Sequence, residues 1–227
     1  MTTIEHGHSA PATKGRVIRS AFGYDLLVWL LSLGRERAFR ERLVALARLE
    51  PAQSVLDIGC GTGSLTIVAK HSVGASGRVH GIDAGPEMIA RARKKAAKAR
   101  VDVEFTTAVV EALPFPDRDF DAVLSALMLH HLPRAVREQC AREVYRVLKP
   151  GGLVLVADFA KSAGKPHGVI GHLHQHGGVP LADIVTLFSN VGCEIVESGA
   201  VGMLGLNYVL ARRALQGDFH AISAGPL

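Results

Sequence analysis

The nine residues Val55-Leu56-Asp57-Ile58-Gly59-Cys60-Gly61-Thr62-Gly63 constrain the fold of this chain more than any other stretch. An apolar run that ends near an acid and passes into glycines at every second position describes a buried strand feeding a tight turn. Glycine permits positive φ and lets bare backbone approach a ligand that a side chain would block. The spacing separates ligand classes. Dinucleotide-binding turns read Gly-x-Gly-x-x-Gly, with the third glycine inside the helix and a pyrophosphate on the helix N-terminus. Here the pattern is Gly-x-Gly-x-Gly, and no lysine is placed to reach a phosphate. Asp57 at the strand end suits a cationic amine instead. The turn therefore predicts a nucleotide-like cofactor.

The 227 residues are enough for one domain with a substantial core. No apolar run approaches the roughly 20 residues that span a bilayer, and residues Met1 to Pro11 contain no hydrophobic signal core. A cytoplasmic location is expected on that basis. Cys60, Cys140 and Cys193 are odd in number and far apart, which predicts free and mostly buried thiols. The net charge of +5 is local, because residues 14–48 carry eight Lys/Arg against Asp25, Glu36 and Glu41 while the remainder balances. That placement argues against a broad nucleic-acid-binding face.

Downstream of the turn, β-like runs alternate with helical patterns. This is the sequence form of an α/β fold with a doubly wound, mostly parallel seven-stranded sheet. Strands are expected at 54–58, 78–82, 101–106, 120–126, 153–159, 194–198 and 206–212. Helices are expected at 65–71, 86–100, 134–148 and 181–191. Pro86 suits a first helical turn, and Lys149-Pro150-Gly151-Gly152 is expected to end the third helix. Arg91, Arg93, Lys94, Lys95 and Lys98 coat the second helix opposite its Met88/Ile89/Ala92/Ala96 face, which reads as a solvated surface. Residues 160–179 form a Gly/His-rich irregular segment.

Several of these segments together resemble the class I S-adenosylmethionine-dependent methyltransferases, over roughly residues 20–212. Asp57 to Gly63 resembles their first motif, and Gly81-Ile-Asp83-Ala84-Gly-Pro-Glu87-Met88 resembles their second, whose acid accepts hydrogen bonds from the ribose diol. A helix cap is the structural alternative for Asp83. Glu111-Ala-Leu-Pro-Phe-Pro resembles the segment beside the adenine. Many relatives have Gly-Asp-Ala just before that Glu, whereas this chain has Ala108-Val109-Val110, so a side-chain contact to the adenine amine is lost. Phe120-Asp121-Ala-Val-Leu and Leu148-Lys-Pro-Gly-Gly-Leu resemble the fourth strand and the turn before the fifth.

The resemblance implies a Rossmann-like methyltransferase fold with an N-terminal helical lid over residues 14–50, a binding domain at 51–215, and tails at 1–13 and 216–227. It implies S-adenosylmethionine as cofactor, S-adenosylhomocysteine as product, and Asp57, Gly59, Cys60, Gly61, Gly63, Asp83, Ala84, Met88, Val109, Val110, Glu111 and Ala126 as its contacts.

Transfer of a methyl from a sulfonium is an in-line displacement, so the protein must align the acceptor, exclude water and supply a deprotonated nucleophile. A histidine suits the last task. His130 and His131, at the end of the fourth strand, are candidates, with packing or capping as the alternative. The Asn-Pro-Pro-Tyr sequence of nucleic-acid amine methyltransferases is missing there. His172, His174 and His176 alternate in the Gly/His-rich segment, where His172 and His174 are further candidate bases and His176 a substrate contact. A metal site is the less favoured reading of that cluster, because no carboxylate or cysteine lies within it.

The opening Ala21-Phe22-Gly-Tyr24-Asp25 and Ser32-Leu-Gly34-Arg35 is similar to that of the ubiquinone/menaquinone biosynthesis methyltransferases. Phe22, Tyr24, Trp29 and Met128 are the candidate substrate contacts. The apolar run around Trp29, flanked by arginines across residues 16–42, reads either as a peripheral membrane or lipophilic-substrate surface or as a helix packed on the sheet. The expected function is methyl transfer to an O, N or C atom of a small lipophilic or anionic metabolite. The competing reading is a cofactor-binding module without turnover, with RNA or protein methylation less favoured and a homo-oligomer left open.

Overall fold

A computed structural model describes residues 36–159, 178–202 and 205–215. Among the described residues, five helices and seven strands, with one single-turn 3₁₀ segment, build one sheet and its two helical layers. They run α1 (Glu36–Leu46), β1 (Ser54–Ile58), α2 (Ser64–Val73), β2 (Arg78–Asp83), α3 (Pro86–Ala99), β3 (Glu104–Thr107), β4 (Phe120–Ala126), a 3₁₀ turn (Leu129–His131), α4 (Arg134–Val147), β5 (Leu148–Phe159), α5 (Leu181–Ser189), β6 (Cys193–Ala200) and β7 (Leu206–Arg213).

The seven strands lie in the order β3-β2-β1-β4-β5-β7-β6. All neighbouring pairs from β3 to β5 are parallel, and β7 runs antiparallel to both β5 and β6. Chain order reverses between β1 and β4, so a crevice opens beyond their carboxyl ends, the usual ligand position in such sheets.

Apolar residues cover both faces of the central strands, as a doubly wound sheet requires. One face buries Leu56, Ile58, Val123 and Val156 against Val136, Cys140 and Val144 of α4 and Ile184 and Phe188 of α5. The other buries Val55, Leu124 and Leu155 against Phe39 and Leu43 of α1 and Leu65 and Ala69 of α2. Burying each such side chain stabilises by roughly 1.5–3 kcal/mol. A third cluster seats Ile89, Ala92 and Ala96 of α3 on Phe105 and Cys60. The expected free, buried thiols are found at Cys60, Cys140 and Cys193.

Two boundaries lie three residues or more from the sequence expectation. β3 starts at Glu104 rather than at Val101, because Val101 is tied back to α3 through its N–H to the Ala96 carbonyl. Lys149-Pro150-Gly151-Gly152 does not separate α4 from β5. The strand starts at the fully buried Leu148, which pairs with Phe120, and the register slips between Phe120 and Ala122 to take up the Pro-Gly-Gly sequence. Of the segment expected as a lid, only 36–50 is described, and its helix is part of the core.

Candidate active site

The glycine turn closes through backbone bonds, with the Cys60 N–H donating to Ile82 O at 2.8 Å and the Gly63 N–H to Cys60 O at 2.9 Å. Gly59, Gly61 and Gly63 have φ of 65°, 53° and 79°, the left-handed region that glycine enters without strain. Their lost side chains serve different neighbours. A Cβ on Gly59 would lie 2.4 Å from Met128 Cγ, so the end of β4 rests on bare backbone there. A Cβ on Gly63 would lie 2.8 Å from Phe105 and 2.9 Å from Ala92. Gly63 thus lets α3 and β3 approach, which is a packing demand on this position. The Cys60 side chain likewise turns into the α3 cluster, leaving its backbone to the turn.

Asp57 and Asp83 are brought to one place from adjacent parallel strands. The Thr66 hydroxyl donates to Asp57 Oδ2 at 2.6 Å. Burial pushes the Asp57 carboxyl up to about 7, against the lowering effects of Thr66 and of the Arg40 charge. Asp83 receives the Gly61 N–H on Oδ2 at 3.0 Å and the Gly85 N–H on Oδ1 at 2.8 Å. The second acid therefore fixes the glycine turn and caps the loop into α3 at once, while its remaining lone pairs suit a vicinal diol. Burial raises its pKa despite those two bonds. Ala84 is half-buried beside it, and Met88 is buried on the first turn of α3.

The loop after β3 borders the same crevice, with the Ala108 N–H donating to Asp83 O at 3.1 Å. Val109 and Val110 are both buried, Val110 within the core, and the Glu111 carbonyl accepts from Gln139 at 2.9 Å. Arg146 braces this loop by donating to the carbonyls of Leu113 and Phe115 at 3.0 and 2.8 Å, and Glu143 accepts the Leu113 N–H at 2.7 Å. The Arg146 guanidinium in turn holds the Glu143 carboxyl below its ordinary pKa.

At the end of β4, Ala126 is buried, Leu127 has φ of 57°, and Met128 leads into the 3₁₀ turn. That turn carries His130 and His131 with ring centroids 3.9 Å apart. Asp158, at the end of β5 and 1% exposed, accepts His130 Nδ1 at 2.6 Å on Oδ1 and the His130 N–H at 3.1 Å on Oδ2. A carboxylate at Nδ1 accepts rather than donates, an arrangement that favours the neutral tautomer with the proton on Nδ1 and the lone pair on Nε2. Arg137 fixes the same turn by donating to Leu129 O and Leu132 O, both at 2.9 Å.

Sequence reasoning missed Asp158, Arg137 and Arg146. Asp158 ends an apolar strand and meets His130 only across 28 positions, so no local pattern signals the pair. The expected contacts Phe22, Tyr24, Trp29, His172, His174 and His176 lie outside the described residues. Among the described residues, no group of three or more His, Cys, Asp or Glu side chains forms a metal site, and no helix is long and apolar enough to cross a membrane.

The turn and its two acids fit the S-adenosylmethionine cofactor: Asp57 matches an ammonium and Asp83 a ribose diol, and the buried Arg40, whose charge acts on Asp57, has an Nε without a hydrogen-bond partner among the described residues. Comparison with known proteins agrees. Residues 55–152 match the family model of the methyltransferase domain. The chain is 39% identical over 152 residues to the demethylmenaquinone methyltransferase of Thermus thermophilus, covering 67% of this chain and 66% of that protein. It is 37% identical over 145 residues to a ubiquinone/menaquinone biosynthesis C-methyltransferase of Enterobacter sp., covering 63% of this chain and 57% of that one. The chain thus spans somewhat less than two thirds of the length of these relatives. A crystal structure of a SAM-dependent methyltransferase from Aquifex aeolicus superposes with a TM-score of 0.70 at 22% identity, over 84% of this chain and 98% of the other. With the strand order, the glycine turn and the paired acids in place, the chain belongs to the class I S-adenosylmethionine-dependent methyltransferases.

Proposed function

We propose that this protein transfers a methyl group from S-adenosylmethionine to a small lipophilic or anionic metabolite whose acceptor atom must first lose a proton, and that His130 takes that proton. The observation that carries this reading is the His130–Asp158 pair. Its 2.6 Å hydrogen bond holds the imidazole in the tautomer that leaves Nε2 basic. Asp158 is buried and receives the backbone N–H groups of His130 and Phe159 as well, so the carboxylate is fixed before any acceptor arrives. Phe159 and His131 flank the His130 ring, with centroids 5.2 and 3.9 Å away, which restricts its rotation and gives the acceptor an aromatic wall.

When bound, the cofactor supplies a methyl on a sulfonium: the acceptor forms the new bond, the S–C bond breaks with its electron pair left on sulfur, and S-adenosylhomocysteine results. The proton lost by the acceptor goes to His130 Nε2, and Asp158 stabilises the imidazolium. Phenolic or quinol rings fit this chemistry, since removing their O–H proton makes both the oxygen and the ring carbons nucleophilic. The names of the Thermus and Enterobacter relatives favour a ring of the quinone type.

The test is transfer of labelled methyl to a panel of phenols, quinols, thiols and amines. H130A and D158N are expected to lower kcat by about 10²- to 10⁴-fold, the range of general base catalysis. Affinity for S-adenosylhomocysteine should stay within about twofold of wild type, since neither side chain belongs to the glycine turn or its acids. D158N offers an amide N–H to Nδ1 and favours the wrong tautomer. Unchanged kcat in both variants would remove His130 from the role. Cofactor binding with no transfer to any acceptor would favour the binding-module reading, which the apolar Val109 beside the adenine segment supports.

A further inference from the structure

α4 and α5 lie side by side on one face of the sheet. A groove of about 480 Å³ runs between them, lined by Glu138, Arg142 and Tyr145 of α4 and by Leu187, Asn190 and Val191 at the end of α5. Positions 138, 142 and 145 recur at helical spacing, so one stripe of α4 forms a whole wall. Tyr145, Leu187 and Val191 pack half-buried against the core and give the groove an apolar floor. On the rim, Glu138 is held by Arg134 at 3.2 Å, whereas the exposed Arg142 has no ion-pair partner among the described residues. Val191 comes just before β6 and Tyr145 just before β5, so this part of the groove lies at the end of the sheet opposite the crevice.

β7 ends at the same place. Its last residue, Arg213, pairs with Cys193, donates to the Tyr145 carbonyl at 2.7 Å and sets its guanidinium 4.4 Å from the Tyr145 ring. Two residues on, Leu215 is the one large apolar side chain among the described residues that is exposed, at 58%. The sequence continues Gln216-Gly217-Asp218-Phe219-His220-Ala221-Ile222-Ser223. This stretch has two large apolar side chains, one acid and no Lys or Arg, which complements an apolar floor with an uncommitted arginine on its rim. Its reach is sufficient. Four residues from Leu215 to Phe219 span up to about 13 Å, and the α4 wall from Tyr145 to Glu138 is about 10 Å long. We propose that residues 216–223 turn back at Leu215 and seat Phe219 and Ile222 in the groove between α4 and α5, with Asp218 beside Arg142. The apolar side chains supply the binding, since an exposed ion pair adds little. The proposal is independent of the cofactor assignment, and it gives α5 a covering strip of chain on the side that α4 leaves open.

Cysteine pairs in the full chain test this. Cys60, Cys140 and Cys193 are buried and do not compete. One pair, N190C with A221C, joins the segment to the exposed rim of the groove. The control pair is E194C with A221C. Glu194 is exposed and equally near the end of β7, but it faces away from the groove, because its neighbour Cys193 faces the α4–α5 side. Under mild oxidation of dilute protein, the N190C pair is expected to form its intramolecular disulfide at least about tenfold faster than the control, since a seated segment raises the effective concentration. Adding F219S and I222S should bring that rate down to the control's. Equal rates for the two pairs, or a rate that F219S and I222S leave unchanged, would overturn the proposal. Disulfides between molecules that increase with protein concentration would overturn it in favour of a second copy in the groove.

Discussion

Asp57 is a single buried side chain on which folding and the proposed ligand make opposite demands. Desolvation raises its carboxyl to about 7, even though Thr66 donates to it and Arg40 attracts the ionised form. The folded chain therefore holds this proton more tightly than the unfolded chain does. Its contribution to stability is full below the ordinary value of 3.8 and is lost as the pH rises through about 7. Ligand binding has the opposite sign, because an ammonium beside Asp57 favours the carboxylate. Affinity for S-adenosylhomocysteine is thus expected to rise as the pH rises through about 7, and to fall again once the ligand amine loses its proton, near 8 for an ordinary α-amino group. D57N should bind more weakly and lose the rising limb; a wild-type affinity flat from pH 5.5 to 7.5 would show that Asp57 does not face the amine. The placement of Asp57 and Asp83 beside the glycine turn was legible in the sequence because each stands at a strand end next to glycines. Asp158 was not: it closes an apolar strand and meets His130 only across 28 positions of chain.

Among the elements, helix and strand periods were legible wherever the apolar pattern was continuous, as in β1, β4 and α3. The boundaries that moved are those where tertiary pairing outweighs local signals. Leu148 is drawn into β5 by Phe120, and the Pro-Gly-Gly sequence is absorbed as a register slip instead of a turn. α3 also ends on a residue that its local sequence does not favour. Arg100 has φ of 55° and ψ of 41°, while its N–H reaches back to the Ala96 and Ala97 carbonyls. Glycine takes this left-handed position without the Cβ penalty. The exposed R100G substitution is therefore expected to raise stability by roughly 0.5–1 kcal/mol, read as a higher denaturant midpoint with an unchanged slope. A lower midpoint would mean that the Arg100 side chain contributes more than its backbone conformation costs.

At the scale of the whole molecule, the reversal of strand order between β1 and β4 puts the glycine turn, Asp83 on β2, Met128 after β4 and Asp158 on β5 around one crevice. On the proposed reading, the sheet supplies donor binding from its β1–β2 side and proton transfer from its β4–β5 side, with Met128 seated on Gly59 between them. Both halves depend on that crevice holding S-adenosylmethionine or its product. The most direct measurement is calorimetric titration of the full chain with S-adenosylhomocysteine, for wild type and D83A. The account predicts saturable one-to-one binding by wild type and a loss of about tenfold or more in D83A, which removes the carboxylate that fixes the Gly61 N–H and is proposed to accept from the ribose diol. No detectable heat at millimolar ligand, or equal affinity in the two proteins, would contradict it.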